Sequence, residues 1–234
     1  MSRLLPAAFL VAMALPAAAG EFAEREIIGF SPDGARFAFE EFGVQDGSGF
    51  PFCNIFVVDT ATDSWVKGTP IRRLVEDEGV RVATACGLAR ADAAPFIADL
   101  DDRGNLLASN PITESGRDPY SLAFKRWPEL VLENGDLLLR LETIPLPAPE
   151  GALPDRETAG FRLVLNDGAK DVLLHEDKTL PASRGTAFDY RISDVVMQQP
   201  FNAPPTIAVL VLVIQRGFEG ASGRYVVVTK RLPQ

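Results

Sequence analysis

Histidine occurs once in the 234 residues, as His175, which rules out zinc sites built on two or more imidazoles. Cysteine occurs twice, at Cys53 and Cys86, too few for a disulfide-stapled miniprotein. Neither thiol has a Cys-x-x-Cys spacing or a neighbouring histidine, so thiol catalysis is not expected. The chain has no Gly-x-Ser-x-Gly elbow, no glycine-rich phosphate loop ending in Lys-Ser/Thr and no dinucleotide fingerprint. No cofactor is therefore expected. Positive charge is scarce, with 23 Lys+Arg against 32 Asp+Glu and a net charge of -9. A surface of that sign repels phosphate backbones and anionic headgroups, so nucleic acid is not expected as a partner. Long apolar runs are scarce too. The longest beyond the N-terminus, residues 207–214, falls far below the ~20 residues that cross a bilayer, and membrane insertion is not expected. The balance of 47% apolar and 24% charged residues excludes collagen, a coiled coil and a disordered acidic tail.

What is present begins with an address. Arg3 is followed by an apolar run over residues 4–15, broken by Pro6, and then by Pro16-Ala17-Ala18-Ala19, small residues where a signal peptidase reads. We expect residues 1–19 to be a signal peptide and residues 20–234 a single β-rich secreted domain. No cysteine follows the small-residue site, which closes the lipoprotein route. The expected location is the periplasm or the exterior after cleavage near Gly20.

From residue 26 the text alternates strands and turns. Ile27 to Phe30 lead into Ser31-Pro32-Asp33-Gly34, a turn in which Pro presets φ and Gly accepts φ > 0. Phe37 and Phe39 share one face opposite Arg36 and Glu40, the period of a half-buried strand. Ile55, Phe56, Val57 and Val58 are apolar on both faces and predict an interior strand. Asn166-Asp167-Gly168 between two apolar runs predicts a hairpin. A second hairpin is expected from residues 207–214 and 225–229, with residues 217–223 as its glycine-bearing loop. The proline-rich residues 145–154 predict a surface excursion. Residues 74–96 differ: Val82, Ala85, Cys86, Ala89, Ala93 and Phe96 step by three and four, which predicts one substantial helix. The fold class is mainly β, or β-rich α+β, built from antiparallel meanders and hairpins.

Gly29-Phe30-Ser31-Pro32-Asp33-Gly34-Ala35-Arg36-Phe37-Ala38-Phe39, followed by Asn54-Ile55-Phe56-Val57-Val58-Asp59, resembles one blade of the TolB-type propeller. The motif occurs once, so a complete propeller is not expected. Those residues, with the run from Glu40 to Pro51, Ser64-Trp65-Val66 and Gly217-Phe218-Glu219-Gly220, resemble more widely a bacterial family of predicted secreted proteins, domain of unknown function 2259. The resemblance implies export and carries no catalytic residues.

Nothing here names a ligand or a reaction. Two loops offer more than turn duty. Glu40 and Glu41 precede Asp46-Gly47-Ser48-Gly49-Phe50-Pro51, and Phe218-Glu219 lies between glycines. Glycines let backbone amides approach a ligand and an exposed Phe can anchor one, which makes Glu41, Asp46, Ser48, Phe50, Phe218 and Glu219 the candidate ligand- or partner-binding residues. The plain alternative is that the glycines shape turns and the phenylalanines join the core. Cys53 and Cys86 are either a disulfide, which export permits, or two buried small hydrophobes. His175, beside Glu176 and Asp177, reads as a solvated edge residue. Asp99-Leu100-Asp101-Asp102-Arg103 starts like a calcium loop, but Arg103 stands where a ligand oxygen is needed, so a polar turn is expected and no metal. The leading function is a non-catalytic module binding a protein or small molecule in the envelope. The alternative is a hydrolase using Glu40, Glu41 and Asp46, which requires two of these carboxylates to converge.

Overall fold

The computed structural model describes residues 20–114, 116–127, 136–149, 157–200, 203–217 and 220–232. Residues 1–19, residues 150–154 of the proline-rich stretch, and Phe218 and Glu219 lie outside the described residues.

In chain order the elements are β1 (Glu24–Phe30), β2 (Arg36–Val44), β3 (Pro51–Asp59), β4 (Ser64–Trp65), β5 (Ile71–Leu74), helix α1 (Val82–Ile97), β6 (Asn105–Ser109), β7 (Ser121–Lys125), β8 (Asp136–Pro145), β9 (Ala159–Asn166), β10 (Asp171–Glu176), a 3-10 turn (Ala182–Arg184), β11 (Ala187–Gln198), β12 (Thr206–Arg216) and β13 (Ala221–Arg231). They form three antiparallel sheets. The N-terminal sheet runs β1-β2-β3-β4 with β5 also on β3, the central sheet β13-β12-β11-β6, and the outer sheet β10-β9-β8-β7. Among the described residues there is no closed barrel or propeller. The class is the mainly β one that the alternation predicts.

Period-two alternation sets the layers. Along β12, Ile207, Val209, Val211 and Val213 pack with Leu139, Phe161, Leu163 and Leu165 of the outer sheet. Ala208, Leu210 and Leu212 turn the other way, onto Phe30, Phe37, Phe39, Phe52 and Phe56 of the N-terminal sheet. The opposite face of that sheet, with Ala38, Cys53, Ile55 and Val57, carries the helix. The result is a stack of four layers: helix, N-terminal sheet, central sheet, outer sheet. Each fully buried Phe in it contributes roughly 1.5–3 kcal/mol of transfer free energy.

Turn chemistry fixes the hairpins. Asp33 Oδ1 accepts from Ser31 Oγ (2.7 Å) and the Ala35 N–H (3.0 Å), and Gly34 takes φ +67° where a Cβ would meet Gln198 Oε1 at 2.7 Å. The Asn166-Asp167-Gly168 hairpin joins β9 to β10 with Asn166 opposite Asp171. Asp167 Oδ1 accepts from the N–H groups of Ala169 and Lys170.

Two boundaries differ from expectation. The helix spans Val82–Ile97, whereas residues 74–96 were expected: Leu74 ends β5, and Asp77 Oδ1 accepts from the Gly79 N–H (2.8 Å) in a turn that delays the helix. Ala85, Ala89 and Ala93 form its buried stripe, small enough to let it lie close to β3. In the last hairpin, Ala221, Ser222 and Gly223 are paired strand opposite Arg216, Gln215 and Ile214, so the loop is shorter than residues 217–223.

Candidate functional site

Strand register builds a polar row across the inner face of the N-terminal sheet. Arg25 on β1 lies opposite Glu41 on β2, Glu41 opposite Asn54 on β3, and Asn54 opposite Arg72 on β5. Directly opposite residues in an antiparallel ladder project to the same side, so these four share a face with Phe39 and Phe56. Where β4 and β5 face β13, the row opens into a cleft of about 220 Å³ lined by Glu41, Asn54, Trp65, Arg72, Arg184 and Arg224, with Val213, Gln215 and Tyr225–Val227 opposite.

Most charges along the row are closed within the protein. Arg25 makes a two-pronged pair with buried Asp194 (2.6 and 2.7 Å), which also accepts from Ser109 Oγ and Ser193 Oγ. Glu41 is buried, 3% exposed. Its Oε2 accepts from the Tyr225 N–H (2.8 Å) and its Oε1 from Asn54 Nδ2 (3.1 Å). Burial pushes the Glu41 carboxyl up, against those two hydrogen bonds and the nearby charges of Arg224 and Arg72. Arg224 is ion-paired with Glu21 and lies over the Phe52 ring, 4.6 Å from its centroid. Arg184 is ion-paired with Asp177 and lies over Phe161 at 4.9 Å. Arg72 differs from both. Its guanidinium stands 5.8 Å from the ring centroids of Phe56 and Trp65, and it has no hydrogen-bond or ion-pair partner among the described residues. Trp65 is 43% exposed.

The described candidate residues fall in two places. Glu41 lines the inter-sheet cleft, while Asp46 and Ser48 line a separate hollow with Gly20, Glu21 and Glu78. Within that loop the Asp46 N–H donates to Glu21 Oε2 (2.7 Å), Ser48 Oγ donates to Gln45 Oε1 (3.0 Å), and the Phe50 N–H donates to Ser48 Oγ (3.3 Å). Glu40 faces the helix, where Arg90 grips it at 2.7 and 2.8 Å. Glu40, Glu41 and Asp46 thus lie in three different places. Phe218 and Glu219 lie outside the described residues.

Cys53 and Cys86 are joined, with Cα atoms 5.0 Å apart, tying β3 to α1. Glu40 lies near both sulfurs, but with the sulfurs bonded to each other and Glu40 held by Arg90 the donors for a metal are taken. In the calcium-like stretch Asp99 pairs with Arg36, while Asp102 accepts from Gln198 Nε2 and from the Gly104 N–H.

His175 is half-buried and not a solvated edge residue. Its ring stacks on Phe161 at 4.6 Å, Nε2 lies 3.0 Å from Asp177 Oδ1, and Nδ1 lies 3.9 Å from Asp63 Oδ2. Burial lowers its pKa, but the hydrogen bonds to Asp177 and Asp63 outweigh that and hold it above the ordinary value. Asp63 also accepts from the Thr229 N–H (2.7 Å) and Oγ1 (2.9 Å), so the cluster joins all three sheets.

Sequence reasoning missed Asn54, Trp65, Arg72, Arg184, Arg224 and Tyr225. One signal was available: Glu41 continues the step of two from Phe37 and Phe39, and Asn54 sits two residues before Phe56, so both are polar residues at core-facing positions. A family model described as predicted secreted protein, domain of unknown function 2259, matches residues 38–231. No curated protein and no solved structure matches the chain.

Proposed function

Because the chain belongs to the family of predicted secreted proteins with domain of unknown function 2259, we propose that it is an exported, non-catalytic binding protein of the bacterial envelope whose small ligand enters the cleft over Glu41. The observation that carries this reading is Arg72. It is a guanidinium at the mouth of a concave site, set against two aromatic rings and without a hydrogen-bond or ion-pair partner among the described residues, while Arg25, Arg184 and Arg224 are each paired. A concave site that sets convergent polar groups beside aromatic and aliphatic walls is the general form of a small-molecule site, and this cleft joins Arg72 and Asn54 to Phe56, Trp65 and three valines. The divergence of Glu40, Glu41 and Asp46 supports binding over hydrolysis, which needs two carboxyls flanking one bond. Export through a signal peptide over residues 1–19, and folding of residues 20–234 as one unit, belong to the same proposal. The TolB-like text of β1 to β3 fits a scaffold role for that meander.

The test is native mass spectrometry of the protein purified gently from its own host, alongside Arg72→Ala and Trp65→Ala. The expected result is a small-molecule adduct on the wild type that denaturation releases and both substitutions remove. An adduct that survives both substitutions would move the site elsewhere, and a bare wild-type protein would count against a tightly held ligand. The denatured mass also tests cleavage before Gly20.

A further inference from the structure

We propose that the cleft selects a monocarboxylate carrying a compact apolar body, with the carboxylate on Arg72 and the body against Trp65 and Val227. This rests on the reading of the cleft as a binding site and adds the class of ligand. The argument begins with charge. Of the four guanidiniums on the polar row and the cleft wall, Arg25 is closed by Asp194, Arg184 by Asp177 and Arg224 by Glu21. Arg72 alone of the four has no ion-pair partner among the described residues, with the buried Glu41 carboxyl the acidic group within reach of its charge. A neutral ligand would cover Arg72 without pairing it, and a dianion would bring a second negative charge beside the Glu41 carboxyl, which burial already disfavours as an anion. A single negative charge matches the site.

Geometry narrows the group. Arg72 is held at 5.8 Å from both Phe56 and Trp65, and those rings are tilted 60° to each other. A guanidinium seated in an aromatic corner keeps a fork of N–H donors for a planar acceptor, and a carboxylate meets such a fork with two parallel hydrogen bonds. The body follows from the walls. Trp65 is partly exposed, and Val213, Val226 and Val227 line the opposite side. The volume, about 220 Å³, falls below the ~300–1,000 Å³ of sites for drug-sized ligands, so a single ring or one residue fits. The same chemistry is offered by a free small acid and by the last residue of a peptide.

The probes are N-acetylphenylalanine, its neutral amide, phenyl phosphate, and a pentapeptide ending in phenylalanine, titrated calorimetrically into the whole mature protein. The acid should bind at least tenfold more tightly than its amide and than phenyl phosphate. Arg72→Ala should bring acid and amide to equal affinity, and Arg72→Lys, which keeps the charge without the fork, should fall between. The pentapeptide binding as well as the acid assigns the carboxylate to a chain end; the acid binding alone assigns it to a free small molecule. Acid and amide binding alike to the wild type, with both lost in Trp65→Ala, would overturn the ligand class and leave the cleft standing as a site. No binding of the acid at millimolar concentration would overturn the class as well, while the adduct on host-purified protein decides separately whether the cleft binds anything.

Discussion

Glu40 and Glu41 are consecutive on β2, both nearly inaccessible to solvent at 2% and 3% exposure, and yet belong to different layers of the molecule. Glu40 faces the helix and is gripped by Arg90, whereas Glu41 faces the central sheet and is held by Asn54 and the Tyr225 backbone. The pleat alone separates them. Two buried carboxyls with two unlike environments make two different tests.

Arg90→Ala should destabilise the protein by about 2–3 kcal/mol. It leaves the buried Glu40 carboxylate without its cation, a change that costs about 3–5 kcal/mol when both partners are buried and less here because Arg90 is half exposed. Arg90→Lys should recover part of the loss. Urea unfolding checks the order, and equal stability of wild type and Arg90→Ala would show that the pair contributes nothing.

Glu41→Gln should stabilise the protein at neutral pH. The folded-state pKa of Glu41 is raised by burial, so the folded form binds more protons than the unfolded one above the ordinary carboxyl pKa of 4.5, and stability falls as pH rises through the folded value. Every tenfold by which folding tightens proton binding corresponds to about 1.4 kcal/mol. The advantage of the Gln variant over wild type should therefore grow from about pH 4 to pH 7, followed by urea unfolding at a series of pH values. A difference that does not change with pH would mean that Glu41 titrates alike in both states.

The sheets were legible because burial on one or both faces writes a period into the text. Phe37 and Phe39, or Ile207 to Ile214, say how they lie before any partner is known. The cleft was not, because Glu41 comes to share a cleft with Arg72 and to accept from the Tyr225 N–H only once β2, β3, β5 and β13 have found their neighbours across long stretches of chain. Register carries that information and no local pattern holds it. The helix began late for a local reason, the Asp77–Gly79 turn. His175 was misread because the carboxylates beside it suggest solvent, whereas Asp177 is itself buried and bonds the imidazole, and Phe161 stacks on the ring.

His175 should make stability depend on pH near neutrality. Asp177 and Asp63 face its two ring nitrogens and Arg184 faces Asp177 from the 3-10 turn. With the folded pKa raised, the folded state binds the extra proton, so the contribution is fully present below the unfolded value of 6.5 and is lost as pH rises through the folded one. His175→Gln should flatten the wild-type decline between about pH 6 and pH 8.5 in unfolding experiments; an unchanged slope would place the titration elsewhere.

The Cys53–Cys86 bridge should be the largest single support of the helix. Its two sulfurs join positions 33 residues apart, and closing a loop of that length restricts the unfolded chain by about 3–4 kcal/mol. Beside the Arg90–Glu40 pair the helix has modest apolar support: its fully buried stripe is three alanines, with Phe96 and Ile97 partly buried, and its N-cap, Arg81, makes no side-chain cap hydrogen bond. Alanines contribute little burial compared with the phenylalanines of the neighbouring layer, so the covalent tie does what a leucine stripe would do elsewhere. Reduction, or the double change Cys53→Ala with Cys86→Ala, should lower unfolding stability by about 3 kcal/mol and raise proteolysis within residues 75–98 before the sheets are cut. The oxidised protein should weigh two hydrogens less than the reduced one by intact mass. A mass showing two free thiols in protein taken from the host would remove the tie, and stability unchanged by reduction would mean that the alanine stripe suffices.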